Sequence, residues 1–214
     1  MNKVLVLSSN MGSVKSNIMV KQEGVIADFI CYNDANFPPR TASFTPRMVS
    51  KIPKMLGWLL HPSYDYYIWI DSDMNMNRPD AVAWFIENIN SHDVLFFKHP
   101  ERSSIKDEID FIKKQVNAGN EKLQKKVLNE PIEKQVEKYL YDDKFIDNVL
   151  IAAGAFCYSR DVVKNTEDNF MKAWFFETCF WSIRDQLSLP YVIQKYRVNY
   201  KLIAENIYKH KYLK

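Results

Sequence analysis

The chain has 214 residues, 47% of them hydrophobic and 14% aromatic, with five glycines. That is enough to bury a sizeable core in a single domain spanning 1–214, and it excludes a disordered tail, a collagen-like fibre and a disulfide-stapled miniprotein. A formal charge of +3 is too small a surplus for a general nucleic-acid binder, although six basic residues (Lys195, Arg197, Lys201, Lys209, Lys211 and Lys214) against Glu205 alone concentrate positive charge at the C-terminus.

In chain order, Val4 to Leu7 is a short aliphatic run that reads as a buried first strand, and Val25 to Tyr32 as a second. A proline-bearing loop over Asn36 to Pro46 precedes a helix over Arg47 to His61, with apolar residues at helical spacing and Pro53 as a bend. Tyr64 to Ile70, aromatic and β-branched, reads as a central strand that stops at Asp71-Ser72-Asp73. Pro79 is placed as the first-turn proline of a helix running to Asn90, and Val94 to Phe97 is the next strand. Residues 106–144 hold nine lysines and nine acidic residues with weak apolar periodicity, which predicts a solvated helical excursion. Val149 to Tyr158 returns to a strand containing Gly154, Asn165 to Trp181 and Arg184 to Tyr196 read as helices, and Val198 to Ile203 reads as a last edge strand. Alternating strands and helices predict an α/β architecture, followed by a basic tail over 204–214.

The sharpest chemical signal is YYIWIDSD (66–73), a hydrophobic strand delivering two carboxylates to its C-terminal tip. Open α/β sheets bind ligands at such tips. Alternation puts Asp71 and Asp73 on one side, and two hard oxygen donors suit Mg²⁺ or Mn²⁺, which substrate phosphates and water complete. Two carboxylates plus a diphosphate make a nucleotide-sugar site; the competing reading is a simple turn or helix cap. A haloacid-dehalogenase-type phosphatase fits poorly, because Asn75 stands where that motif has Thr or Val and 70 residues precede the pair. The five glycines are scattered and form neither a dinucleotide fingerprint nor a P-loop.

Arg47 and Lys54, the segment IWIDSDMNM (68–76), KHPERSSIKDE (98–108) and the run from Trp174 through Arg184-Asp185-Gln186 to Ser188 together resemble the glycosyltransferase-like family of plant mucilage and turgor proteins and their bacterial relatives, formerly a domain of unknown function. The resemblance spans roughly residues 45 to 195. It implies a GT-A-like, Rossmann-like mixed sheet flanked by helices, with Asp71 and Asp73 matching the Asp-x-Asp metal motif of GT-A enzymes. Arg47, Lys51 and Lys54 share a helical face that under this reading meets the diphosphate or sugar, and otherwise is a solvated basic face. Lys98, His99 and Arg102 follow a strand where a loop approaches the sugar; His99 reads equally as a structural histidine.

Asp185 falls in a first helical turn, where the dipole favours an ionised carboxylate. It is expected to act as a base on the acceptor hydroxyl or to stabilise an oxocarbenium-like state, the alternative being a capping aspartate. Glycogenin-like GT-A enzymes carry an Asp-Gln pair late in the chain, so resemblance makes Arg184, Asp185 and Gln186 the catalytic segment. Trp174, with Glu177 on the same helical face, reads as a sugar platform or as core. GT-A enzymes commonly take a third metal ligand from a C-terminal histidine, which would be His210, with a tail folding over the diphosphate; the Gly or Pro-Trp that follows it in glycogenin-like enzymes is missing here.

The reading is a metal-dependent hexosyl- or glycuronosyltransferase. It uses Mn²⁺ or Mg²⁺ to move a sugar from a nucleotide-diphosphate donor to a hydroxyl of a carbohydrate or lipid-linked acceptor, in surface polysaccharide biosynthesis, with no nucleic-acid partner. The alternatives are a nucleotidyltransferase, whose glycine-rich loop is missing, and a catalytically inactive sugar- or partner-binding module. Cys31, Cys157 and Cys179 form no CxxC pair and fit reduced, buried thiols. With no signal-peptide core and no run of 18 apolar residues, the expected location is cytoplasmic, with peripheral contact at the inner membrane face through the basic tail.

Overall fold

The structure, a computed structural model, describes residues 2–37 and 44–213. Of the loop expected over 36–46, residues 38–43 lie outside the described residues, as does Lys214 of the tail. Strands β1 (Lys3–Asn10), β2 (Ile26–Asn33), β3 (Tyr66–Ile70), β4 (Val94–Lys98), β5 (Ile151–Ser159) and β6 (Tyr200–Ile203) form one sheet in the order β2-β1-β3-β5-β4-β6. β5 alone runs antiparallel, inserted between β3 and β4, so this is a mixed sheet. The C-terminal ends of β1, β3 and β4 and the start of β5 therefore meet at one edge.

Strict alternation along the strands supplies two cores. Leu5, Leu7, Tyr67, Trp69 and Phe96 face helices α1 (Pro46–Leu60), α6 (Phe170–Phe180) and α7 (Asp185–Lys195). Val4, Val6, Ile68, Ile70 and Phe97 face α2 (Ala81–Ile89) and the segment after β6. The alternation slips one step in β5, where pairing jumps from Phe96–Phe156 to Phe97–Ala152 and leaves Gly154 in a bulge.

Helix α1 begins where its sequence signals say: Thr45 accepts from Met48 N at 3.2 Å and Pro46 opens the first turn. Pro53 lies inside the helix, and the backbone departs from helical geometry at Leu56 (φ −114°), placing the bend one turn later than the proline itself. Gly57 sets the distance of α1 from the sheet, because a Cβ there would stand 2.2 Å from Leu7 Cδ1.

Four local expectations are corrected. Pro79 lies outside α2, with Asp80 at the N-cap, and its carbonyl accepts from Glu23 N at 2.8 Å. The helix expected from Asn165 starts at Phe170, because Asn169 caps it by accepting from Lys172 N. The charged stretch 106–144 folds as α3 (Ile105–Asn117), α4 (Glu121–Val127) and α5 (Ile132–Leu140) and is not merely a solvated surface. Ile105, Ile109, Ile112, Ile132, Val136 and Tyr139 are buried in the main core, so an apolar stripe was present under the charges. Finally, the basic tail is no open charged segment, since Ile207, His210, Tyr212 and Leu213 are all buried.

Candidate functional site

The site is built on the tip of β3. Asp71 N donates to Gly154 O at 2.7 Å, and a Cβ on Gly154 would stand 2.9 Å from Met74 Cε and 3.4 Å from Asp71 Oδ2, so the bulge and its glycine make room for the aspartate turn. From the other side Asn17, itself buried, donates through Nδ2 to Asp71 O (3.0 Å) and Met74 O (2.5 Å). Asp71 Oδ1 accepts from Trp69 Nε1 at 2.7 Å. The Asp71 side chain remains 42% exposed and Asp73 is exposed, so both carboxylates open to the cleft.

Helix α1 brings the cations. Lys51 Nζ and Lys54 Nζ each lie 2.7 Å from Asp185 Oδ2, and Lys54 Nζ is also 3.4 Å from Asp71 Oδ1. Burial tends to neutralise all three groups, and the charges decide the outcome for each. Against its burial, the two ammonium groups hold the Asp185 carboxyl well below the usual carboxylate range. For Lys54, burial is outweighed by Asp185 and Asp71, and the amine is raised. For Lys51, burial outweighs Asp185 and Lys54 repels it, so the amine is lowered.

Asp185 occupies the first position of α7 and makes no side-chain cap bond, Arg184 being the N-cap residue, so the capping reading does not hold. A carboxylate this firmly ionised is also a weak proton acceptor. Gln186 Nε2 donates to Ile151 O at 3.3 Å, tying α7 to the start of β5. Arg47 is half-buried and donates through Nη1 to Lys126 O at 3.0 Å; burial, then repulsion by Arg184, lowers its guanidinium from the ordinary value.

These side chains line one cleft of about 490 Å³, bounded by Ser9 on β1, Arg47, Lys51 and Lys54 on α1, Asp71 and Asp73 after β3, Lys126 on α4, and Arg184, Asp185 and Gln186 on α7. Five cationic residues face three acidic ones. Such a cleft suits a ligand carrying several negative charges.

Two expected binders stand behind the cleft rather than in its wall. His99 is buried, and both ring nitrogens face donors: the Glu101 and Arg102 amides at Nδ1 (3.2 and 3.1 Å) and Arg102 Nη2 at Nε2 (2.9 Å). Burial, then Arg102, lowers its pKa from the ordinary histidine value. Arg102 Nε donates to Glu108 Oε2 at 2.5 Å, while Arg184 Nη2 donates to Glu108 Oε1. Glu108, 1% exposed on α3, thus joins the KHPER turn to the cleft.

His210 is not gathered with the aspartate pair. Its ring packs at 4.5 Å from Trp84 and 5.2 Å from Phe97 on the α2 face, with Glu205 Oε2 at 3.3 Å from Nε2. Among the described residues, no three His, Cys, Asp or Glu side chains are grouped as metal ligands. Trp174 is fully buried, its Nε1 donating to Asp185 O at 2.9 Å, and Glu177 Oε2 accepts from Tyr139 OH at 2.6 Å, so Trp174 is core and no sugar platform.

Sequence reasoning missed Asn17, Trp69, Lys126 and Glu108. For Glu108 a signal existed, since it lies one turn from both Ile105 and Ile112 on the apolar face of α3. No helix among the described residues is long and apolar enough to cross a membrane.

A comparison with curated proteins finds no match. Among solved structures, a glycosyltransferase involved in the glycosylation of the major capsid of PBCV-1 is similar at 11% identity and a TM-score of 0.49, over 94% of this chain and 81% of that one. A197 from STIV is similar at 10% identity and a TM-score of 0.40, over 94% and 82%. The sequence model of the TOD1/MUCI70 glycosyltransferase-like domain matches residues 40–212, and the chain belongs to that family.

Proposed function

We propose that this chain is a GT-A-type glycosyltransferase that moves a sugar from a nucleotide-diphosphate donor to an acceptor hydroxyl. The observation that carries the reading is the convergence of the Asp71–Asp73 tip with Lys51, Lys54 and Asp185 in one cationic cleft. A diphosphate needs concentrated positive charge, and Lys51, Lys54, Arg47 and Arg184 supply it from two helices.

The donor set also fits a hard divalent cation. Asp71 and Asp73 both open to the cleft, and Asp71 Oδ2 is not engaged by Trp69 or Lys54. Bound there, Mg²⁺ or Mn²⁺ would act as a Lewis acid on the leaving diphosphate. Asp185 holds the two ammonium groups at the cleft floor, with Lys51 Nζ and Lys54 Nζ both 2.7 Å from its Oδ2.

The test is a thermal-shift screen of nucleoside diphosphates with and without Mn²⁺, in which a ligand at 100 times its Kd stabilises by ~2.7 kcal/mol. Asp71→Ala and Asp73→Ala are expected to remove the Mn²⁺-dependent part of the shift and Lys54→Met the remainder. Parental binding by all three variants would place the site elsewhere.

A further inference from the structure

The segment after β6 holds one aromatic ring in the open, next in the chain to a residue that flanks the aspartate turn. Asn206 Oδ1 accepts from Tyr208 N at 2.9 Å and starts the short turn Ile207–Lys209. Ile207 is fully buried, and a Cβ at Gly154 would stand 3.5 Å from Ile207 Cδ1 and 3.4 Å from Asp71 Oδ2. Ile207 and Asp71 therefore flank the same point of the β5 bulge. Beyond the turn, His210, Tyr212 and Leu213 are 2%, 5% and 2% exposed and pin the chain again.

Between these two anchors Tyr208 keeps 59% of its surface exposed. Partial desolvation, then the carboxylates of Asp71 and Asp73, push its hydroxyl above the ordinary tyrosine value, and Arg102 and Glu108 act on it as well. Tyr208 follows Ile207 directly, so its exposed ring is mounted at the rim of the cleft, on the side of the β5 bulge that Asp71 also flanks. A rigidly mounted tyrosine offers a flat apolar face and a polar rim at low entropic cost, which suits the C–H face of a pyranose.

Sheet order decides which end of a donor would reach it. β3 lies between β1 and β5, so a diphosphate at Asp71 sends one end of the molecule toward Ser9 and the other toward the β5 bulge. Arg184, Asp185 and Gln186 stand over the β5 side, where Gln186 is bonded to Ile151 O. A sugar directed to that side, one glycosidic oxygen beyond the phosphates, comes beside Ile207 and Tyr208.

We propose that Tyr208 is the platform on which the donor's pyranose ring stacks, next to a diphosphate held at Asp71 and Asp73. This rests on the donor reading of the cleft. The experiment is calorimetric titration, with Mn²⁺ present, of UDP, GDP and the nucleotide sugars UDP-glucose, UDP-galactose, UDP-glucuronate and GDP-mannose into the parent, Tyr208→Ala and Tyr208→Phe.

The expected result is a nucleotide sugar that binds the parent more tightly than its bare diphosphate, and that Tyr208→Ala weakens by roughly fivefold to tenfold. The diphosphate itself should keep its affinity, Tyr208→Phe should bind as the parent does, and the melting temperature should not move. An unchanged nucleotide-sugar affinity in Tyr208→Ala overturns the platform while leaving the donor site standing, as does an equal loss for sugar-bearing and bare diphosphates. If neither diphosphate nor any nucleotide sugar binds the parent, the donor reading fails and the platform falls with it.

Discussion

Lys54 Nζ lies 2.7 Å from Asp185 Oδ2 while reaching Asp71 Oδ1 at 3.4 Å, so one ammonium ties the first turn of α7 to the tip of β3. Lys54 is only 3% exposed. A buried charge of this kind persists because it is paired on more than one side, and the pairing gathers the strand tip and two helices at the ligand edge.

Asp185→Asn is therefore expected to destabilise the protein strongly. Were Asp185 a cap, the change would cost less than ~1 kcal/mol, whereas removing one charge from a buried cluster typically costs ~3–5 kcal/mol. Chemical denaturation of the variant measures the difference, and a loss below 1 kcal/mol would refute the clamp.

Acid should weaken the fold in two stages. His99 and His210 both have pKa values pushed below the ordinary histidine value by burial. The unfolded chain therefore binds more protons than the folded one, and stability present above pH ~6.5 is lost as the pH falls below it. Asp185, held well below the carboxylate range by Lys51 and Lys54 against its burial, contributes stability that is present above pH ~3.9 and is lost on further acidification. Melting temperatures across pH 3 to 8 should fall along this course; a flat profile between pH 7 and 5 would contradict the first stage.

His210→Phe separates a metal ligand from a packed ring. His210 Nδ1 and Nε2 are buried without a hydrogen bond, Nε2 having only the exposed Glu205 carboxylate at 3.3 Å, and Trp84, Phe97 and Tyr212 surround the ring. Phenylalanine removes two polar atoms that make no hydrogen bond, gives up only the contact with an exposed carboxylate and keeps an aromatic ring, so stability should hold or rise by ~1 kcal/mol with Mn²⁺-dependent diphosphate binding unchanged. Loss of that dependence would make His210 a ligand after all.

Glu108→Gln keeps the shape of the side chain and removes the charge shared by Arg102 and Arg184. Two guanidinium groups, 16% and 15% exposed, would lose their common carboxylate, at a cost of ~3–5 kcal/mol. Diphosphate affinity should fall too, because Arg184 lines the cleft. Calorimetry and melting curves on the same variant check both; normal stability with normal binding would remove Glu108 from the site.

Much of this arrangement is local in origin and could be read along the chain. The abrupt stop of YYIWI at Asp71, the three- and four-residue spacing of Arg47, Lys51 and Lys54, and the placing of Asp185 at a helix start all follow from periods of two and 3.6 residues and from simple stop signals. The strand between α5 and α6 was legible too, although its antiparallel insertion between β3 and β4 was not.

Partnership, by contrast, is decided by tertiary packing. Lys51 and Asp185 lie 134 positions apart, and no local pattern pairs them. Glu108 looked like one more charge in a run of eighteen, and only the burial of α3 against α7 turns it into the hinge between two arginines. His210 and Tyr208, two residues apart in one tail, differ in the same way: Ile207 and Leu213 anchor the tail in the core, turning the histidine into the α2 face and leaving the tyrosine exposed. Periodicity reports the face that a residue occupies within its own element. Which charge or ring meets that face depends on how distant elements pack, because burial costs a charge far more than local propensity can repay unless a partner from elsewhere arrives.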